Sequence, residues 1–167
     1  MSKTARFRVL PLAAALVAAL SVAACSNDKD LADASAFGAG ASTPGSAQDF
    51  VVNVGDRVFF ESDSTDLTPT ATSTLDKQAA WLQRYPRYTF IVEGHADERG
   101  TREYNFSLGA RRAQTAFDYL ASRGIASGRM RTVSYGKERP VAVCNDISCW
   151  SQNRRAVTVL DRGGAGS

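Results

Sequence analysis

One histidine, His95, stands in 167 residues, and the cysteines are only three, Cys25, Cys144 and Cys149. A zinc site needs three or four nitrogen, sulfur or carboxylate ligands, and neither a second histidine nor a nearby cysteine accompanies His95. Ser107 and the other serines lack a histidine partner at a recognisable spacing, which removes a nucleophilic triad. Glu93 and Asp97 as a glycosidase pair would rest on residue type alone, so an enzyme is the weaker reading and no metal or cofactor is expected. Net basic charge is also missing. The whole chain carries +3, but Lys3, Arg6 and Arg8 sit in a leader without acids, and 3 − 3 = 0 for the rest of the chain. Residues 50–167 hold 16 Lys and Arg against 13 Asp and Glu, scattered along the segment, which argues against nucleic acid as a partner.

The chain begins with that leader. Val9 to Leu20 is almost wholly apolar and too short to span a bilayer stably, the layout of a secretory signal over residues 1–24. It ends in Val22-Ala23-Ala24-Cys25, which resembles the lipobox of bacterial lipoproteins. That resemblance implies lipid on Cys25, which becomes the mature N-terminus; several acyl chains together anchor stably. Ser26, rather than aspartate, after the cysteine implies the outer membrane. Residues 25–49 read as lipidated cysteine plus tether: rich in Ser, Ala, Gly and Asp, with Leu31 and Phe37 as the only large apolar side chains. As a coil such a segment spans roughly 25–30 Å r.m.s.. Residues 50–162 are the size of one domain, and 163–167 read as a disordered tail. Cys144 and Cys149, five apart in an exported chain, are expected to form a disulfide.

Within the domain, Arg57 to Phe60 is a short β-prone run. Thr68-Pro69 opens a helix, with the hydroxyl as N-cap and proline at the first helical position, and Pro86 stops it near Tyr85. Tyr88 to Glu93 alternates as a strand, with Tyr88, Phe90 and Val92 on the apolar face. Asn105 is expected to cap a second helix whose stripe is Leu108, Ala113, Ala116, Phe117 and Leu120, with Gly124 as its left-handed stop. Met130 to Tyr135 and Arg155 to Leu160 are the remaining strands, separated by a loop. The order strand-helix-strand-helix-strand-loop-strand predicts a two-layer α/β (α+β) sandwich with both helices on one face of a mixed sheet.

The most informative stretch is Glu93-Gly94-His95-Ala96-Asp97-Glu98-Arg99-Gly100, at a strand end, followed by a helix carrying Arg111 and Arg112. A carboxylate and a guanidinium on neighbouring elements, set a ligand's width apart, hold a molecule with an ammonium and a carboxylate on one carbon. The same two groups also suit an internal salt bridge. Asn105 and Arg112, seven apart, share a helix face with Leu108 between them. Arg111 points elsewhere into solvent. Arg154 and Arg155 read as structural. His95 reads as a hydrogen-bonded structural histidine on the face of Glu93 and Asp97.

Glu93-Gly94-His95-Ala96-Asp97-Glu98-Arg99-Gly100-Thr101 resembles the signature of the peptidoglycan-associated lipoproteins. Asn105-Phe106-Ser107-Leu108-Gly109-Ala110-Arg111-Arg112-Ala113 is similar to the Asn-x-x-Leu-Ser-x-x-Arg-Ala motif of OmpA-like C-terminal domains, and Val133 to Pro140 and Asn153 to Val157 resemble later motifs of that family. The resemblance covers about residues 56–161. It implies a βαβαββ-type fold and non-covalent binding of the peptidoglycan peptide stem through meso-diaminopimelate, with Asp97 on the ammonium and Arg112 on the carboxylate. Asn105, Leu108, Ser62 and Asp63 complete the implied site. It further implies partnership with periplasmic TolB and the Tol complex. Glu98, Arg99 and Glu103 are expected as exposed residues around the same pocket, open to either ligand, and a peptidoglycan-processing enzyme is the weaker alternative. The chain departs from the family in Phe60-Glu61-Ser62-Asp63, where Phe-Asp-Phe-Asp is common, and in Gly109, where serine is common. The Cys144/Cys149 insertion is unusual for the family and is left without a role in binding.

Overall fold

The structure, a computed structural model, describes residues 42–161. The signal, Cys25, most of the tether and the C-terminal tail lie outside the described residues.

Four strands and three helices carry the fold: β1 (Arg57–Phe59), α1 (Pro69–Arg84), β2 (Phe90–His95), α2 (Arg102–Ser122), β3 (Met130–Gly136), α3 (Ile147–Asn153) and β4 (Arg155–Leu160). The sheet order is β1-β4-β2-β3. β4 runs antiparallel to both β1 and β2, and β2 runs parallel to β3. The C-terminal strand therefore inserts between the first two, which gives the mixed sheet expected.

Side chains alternate along β2: Phe90 and Val92 are buried, while Ile91 and Glu93 are half-buried on the other face. Phe90, Val92, Val58, Met130 and Ala156 form one apolar core with Ala71, Leu75, Ala79 and Leu82 of α1 and Ala113, Ala116 and Leu120 of α2. Both long helices thus bury their stripes on the same sheet face. α2 approaches that face closely at one point. A Cβ on Gly94 would lie 1.8 Å from the Gly109 carbonyl oxygen, and one on Gly109 would lie 2.6 Å from Ser134 Oγ. Gly94 and Gly109 each lack the Cβ for which this close approach leaves no room.

Thr68 caps α1 as expected, its hydroxyl accepting from Ala71 N–H at 3.1 Å. α2 starts earlier than expected. Its N-cap is Thr101, whose Oγ1 accepts from Tyr104 N–H at 3.2 Å, and Asn105 lies inside the second turn. Asn105 is buried and donates its side-chain amide to the Arg99 carbonyl at 2.7 Å instead. Gly124, at φ 90°, follows the helix end.

Two segments differ from expectation. Residues 45–49, expected in the tether, are docked on the domain: Ala47–Asp49 forms a helical turn that continues through Phe50–Val54. Trp81 Nε1 donates to Asp49 Oδ2 at 2.8 Å and Tyr88 O–H donates to the Gly45 carbonyl at 2.8 Å. α3 replaces part of the expected loop. Asp146 caps it, accepting from Ser148 N–H at 2.6 Å, just inside the Cys144–Cys149 disulfide.

Candidate functional site

β1 ends at Phe59 and the chain turns through Ser62 and Asp63. β2 ends at His95 and delivers Asp97 two residues later. The first three turns of α2 present Tyr104, Asn105, Leu108 and Arg112. These segments meet around a cavity of about 280 Å³, near the lower end of ordinary ligand clefts. All six residues expected at the site, Ser62, Asp63, Asp97, Asn105, Leu108 and Arg112, line it, together with Arg99, Gly100 and Tyr104. A larger hollow of about 540 Å³ lies on the other side of α2 between Phe106 and Tyr135, but the charged side chains that line it, Arg102, Glu103 and Glu138, are all exposed.

Arg112 is fully buried, at 0 % exposure. Its Nε donates to the Ser64 carbonyl at 2.9 Å, Nη1 to the His95 carbonyl at 2.9 Å and Nη2 to the Glu61 carbonyl at 3.1 Å. Three of five N–H groups are thereby spent on the two loops that shape the cavity, and two remain. Burial, reinforced by Arg154, lowers its pKa to about 10, and the residue stays charged at neutral pH. The guanidinium is both a clamp on the cavity walls and a cation inside them.

Asp97, 6 % exposed, is not bonded to Arg112. Its ion pairs are with Arg99, Nη2 to Oδ2 at 2.6 Å, and Arg154, Nη1 to Oδ2 at 3.4 Å. Burial alone would raise its pKa; the Arg99 hydrogen bonds, and then Arg154, outweigh this and hold it below the usual carboxylate value. The internal salt bridge Asp97–Arg112 that competed with a ligand site is therefore not formed.

Ser62 Oγ accepts from Arg99 Nη2 at 2.8 Å. Asp63 adopts φ 58° and accepts from the Tyr104 hydroxyl. Arg111 is exposed as expected, and its Nη1 donates to Ser107 Oγ at 2.7 Å. Arg154 does more than support the sheet: Nε donates to the Phe60 carbonyl at 3.0 Å while Nη1 reaches Asp97. Arg155 is buried and bonds the Asn153 and Arg139 carbonyls at 3.3 and 3.2 Å. Glu98, Arg99 and Glu103 do not share one pocket, for each borders a different concavity.

His95 corrects the expectation of a hydrogen-bonded histidine. It is buried, and among the described residues neither ring nitrogen has a hydrogen-bond partner. Glu93 Oε2 lies 3.6 Å from Nε2, beyond a hydrogen bond. Burial, then the cations Arg155, Arg139 and Arg57, push its pKa down to about 4, so the ring is neutral beside that carboxylate. Its ring packs against Tyr135 at 5.6 Å. Among the described residues no cluster of His, Cys, Asp and Glu is arranged to hold a metal, and no helix is long and apolar enough to cross a membrane.

Tyr104 and Trp150 escaped the sequence reading, and Gly100 entered it only within the signature stretch. Placing the start of α2 at Asn105 left Tyr104 outside the helix; the Thr101 cap was the signal that would have included it. Trp150, behind the disulfide, carries no motif.

Comparison with known proteins agrees with this fold. Residues 59–154 match the OmpA family model. The chain is 64% identical over 160 residues to the peptidoglycan-associated lipoprotein of Rhizobium meliloti, covering 94% of this chain and 90% of that one. It is 59% identical over 170 residues to that of Mesorhizobium japonicum, covering 100% of both. The crystal structure of the peptidoglycan-associated lipoprotein from Burkholderia pseudomallei superposes with a TM-score of 0.62 at 38% identity, over 64% of this chain and 90% of that one. The C-terminal domain of Helicobacter pylori MotB, 22% identical with a TM-score of 0.60 over 64% of this chain and 84% of that one, shares the fold. The fold is thus that of an OmpA-type domain, and the chain belongs to the OmpA family and, within it, to the peptidoglycan-associated lipoproteins.

Proposed function

We propose that this protein is an outer-membrane lipoprotein that grips peptidoglycan without covalent chemistry. Lipid on Cys25 holds one end in the membrane, the following segment serves as a leash, and the domain, in the periplasm, takes the diaminopimelate residue of the peptide stem into the cavity between Asp97 and Arg112. The observation that carries this reading is two buried, opposite charges that border one cavity without pairing to each other. A zwitterionic amino-acid terminus complements them, its ammonium toward Asp97 and its carboxylate toward the two remaining N–H groups of Arg112. Each charge-assisted bond contributes about 1.5–3 kcal/mol net, so a few reach the roughly 8 kcal/mol of micromolar binding. Anchoring raises the effective concentration of wall beside the domain, so modest affinity suffices. The names of the relatives, which describe peptidoglycan association rather than a reaction, support a binding role over an enzymatic one.

The same reading makes TolB and the Tol complex the protein partners, in envelope integrity and cell division. Co-sedimentation with purified sacculi tests the wall site: the wild-type protein should pellet and Asp97→Asn should remain in solution with an unchanged circular dichroism spectrum. Equal pelleting of both would refute the site. Release of soluble muropeptides from the sacculi would instead favour an enzyme.

A further inference from the structure

Asp97 has no free acceptor. Oδ1 receives the Arg99 main-chain N–H at 3.2 Å and Arg99 Nε at 3.1 Å. Oδ2 receives Arg99 Nη2 at 2.6 Å and Arg154 Nη1 at 3.4 Å. A carboxylate offers about four lone-pair sites, so a ligand ammonium can bond Asp97 only after a side chain leaves. Arg154 is 5 % exposed and tied to the Phe60 carbonyl, whereas the Arg99 side chain is 43 % exposed and is the one free to leave.

Two contacts keep Arg99 in place besides Asp97. One is Ser62 Oγ. The other is the Trp150 ring, whose centroid lies 4.3 Å from the guanidinium carbon. Trp150 is itself fixed: its Nε1 donates to Glu98 Oε1, and it sits in α3, whose start is set by the Asp146 cap and the Cys144–Cys149 disulfide. The disulfide-closed loop therefore reaches the cavity through a continuous path from α3 to Trp150, to Arg99, to Asp97.

We propose that Arg99 is an internal competitor for the ligand's ammonium, and that Trp150 is the positioning residue that sets how strongly it competes. The inference rests on the wall-binding reading above. Ligand binding becomes an exchange of one cation for another on Asp97, and its affinity depends on how firmly α3 holds the first. The inserted disulfide loop thereby tunes the affinity of the site from outside the cavity.

The test is a calorimetric titration of the full chain with a stem peptide carrying diaminopimelate. Trp150→Ala should tighten binding about two- to fivefold, the size of a cation–π contact at an exposed site. Trp150→Phe keeps a ring face for Arg99 but loses the hydrogen bond to Glu98, and should bind with an affinity between those of Trp150→Ala and the wild type. Arg99→Gln removes the competing charge from an exposed side chain and should tighten binding at least as much as Trp150→Ala; it carries the test if Trp150→Ala fails to fold. Peptide should also change the tryptophan fluorescence of the wild type as the guanidinium leaves the indole, and that change should vanish in Trp150→Phe. Weaker or unaltered binding by both Trp150→Ala and Arg99→Gln, with the wild type binding normally, would overturn this inference alone. A wild type that does not bind the peptide would overturn it together with the wall-binding reading.

Discussion

Replacing Arg112 by methionine should damage stability as well as binding. The guanidinium satisfies the carbonyls of Glu61, Ser64 and His95 from a fully buried position. A buried carbonyl stripped of its donor costs about 1–3 kcal/mol; the bond to His95 is buried and those to Glu61 and Ser64 are part-buried, so roughly 3–9 kcal/mol for three is an upper bound. Two effects reduce this. Water entering from the adjoining cavity re-satisfies part of the loss, and removing the charge relieves the desolvation that lowers its pKa to about 10. The expected loss is about 3–5 kcal/mol, a large share of the 5–15 kcal/mol typical of a domain. For a domain of about 100 residues that corresponds to a fall in Tm of roughly 15–30 °C. Asp97→Asn keeps one oxygen for Arg154 and should cost only about 1–2 kcal/mol. Urea unfolding followed by circular dichroism measures both. An Arg112→Met variant within about 1 kcal/mol of wild type would refute the idea that this side chain fastens the cavity walls.

Two further changes are open to direct measurement. Gly94→Ala places a methyl group 1.8 Å from the Gly109 carbonyl, so α2 must lift off the sheet; thermal unfolding should show a loss of at least about 3 kcal/mol, and wild-type stability would contradict the close approach. His95 is protonated near pH 6.5 in the unfolded chain but only near pH 4 when folded, so the unfolded state binds more protons between these values. Stability should therefore fall by up to about 3 kcal/mol as pH drops from 6.5 to 4, and His95→Phe should flatten that slope in urea titrations across the window, whereas an unchanged slope would exclude His95 as its source.

Much of the fold was legible because its signals are local. The Thr68-Pro69 start of α1, the alternation of β2 and the Gly124 stop after α2 each follow from backbone and side-chain chemistry within a few residues. The six cavity residues were legible through motif resemblance, and the structure brings all of them together. The features that stayed hidden depend on contacts distant in sequence. Nothing local says that Asp49 will bond Trp81, so residues 45–49 read as tether. α3 is seven residues long and has no apolar stripe; its helical state depends on the Asp146 cap inside the disulfide. Arg112 read as a free ligand group because its three carbonyl partners lie 17 to 51 residues away. Asp97 read as vacant because Arg99, only two residues on, was assigned to the exposed rim. His95 read as hydrogen-bonded because polarity was weighed without knowing that Arg155 and Tyr135 would surround it.

The central claim is that the cavity recognises a zwitterionic terminus. Paired titrations with stem peptides that carry diaminopimelate or lysine at the third position test it most directly, because lysine keeps the ammonium and lacks the terminal carboxylate. The account predicts that the diaminopimelate peptide binds at least tenfold more tightly, the loss of one charge-assisted contact to Arg112, and that Arg112→Lys narrows the gap. Equal affinity of the two peptides for the wild-type protein would contradict it.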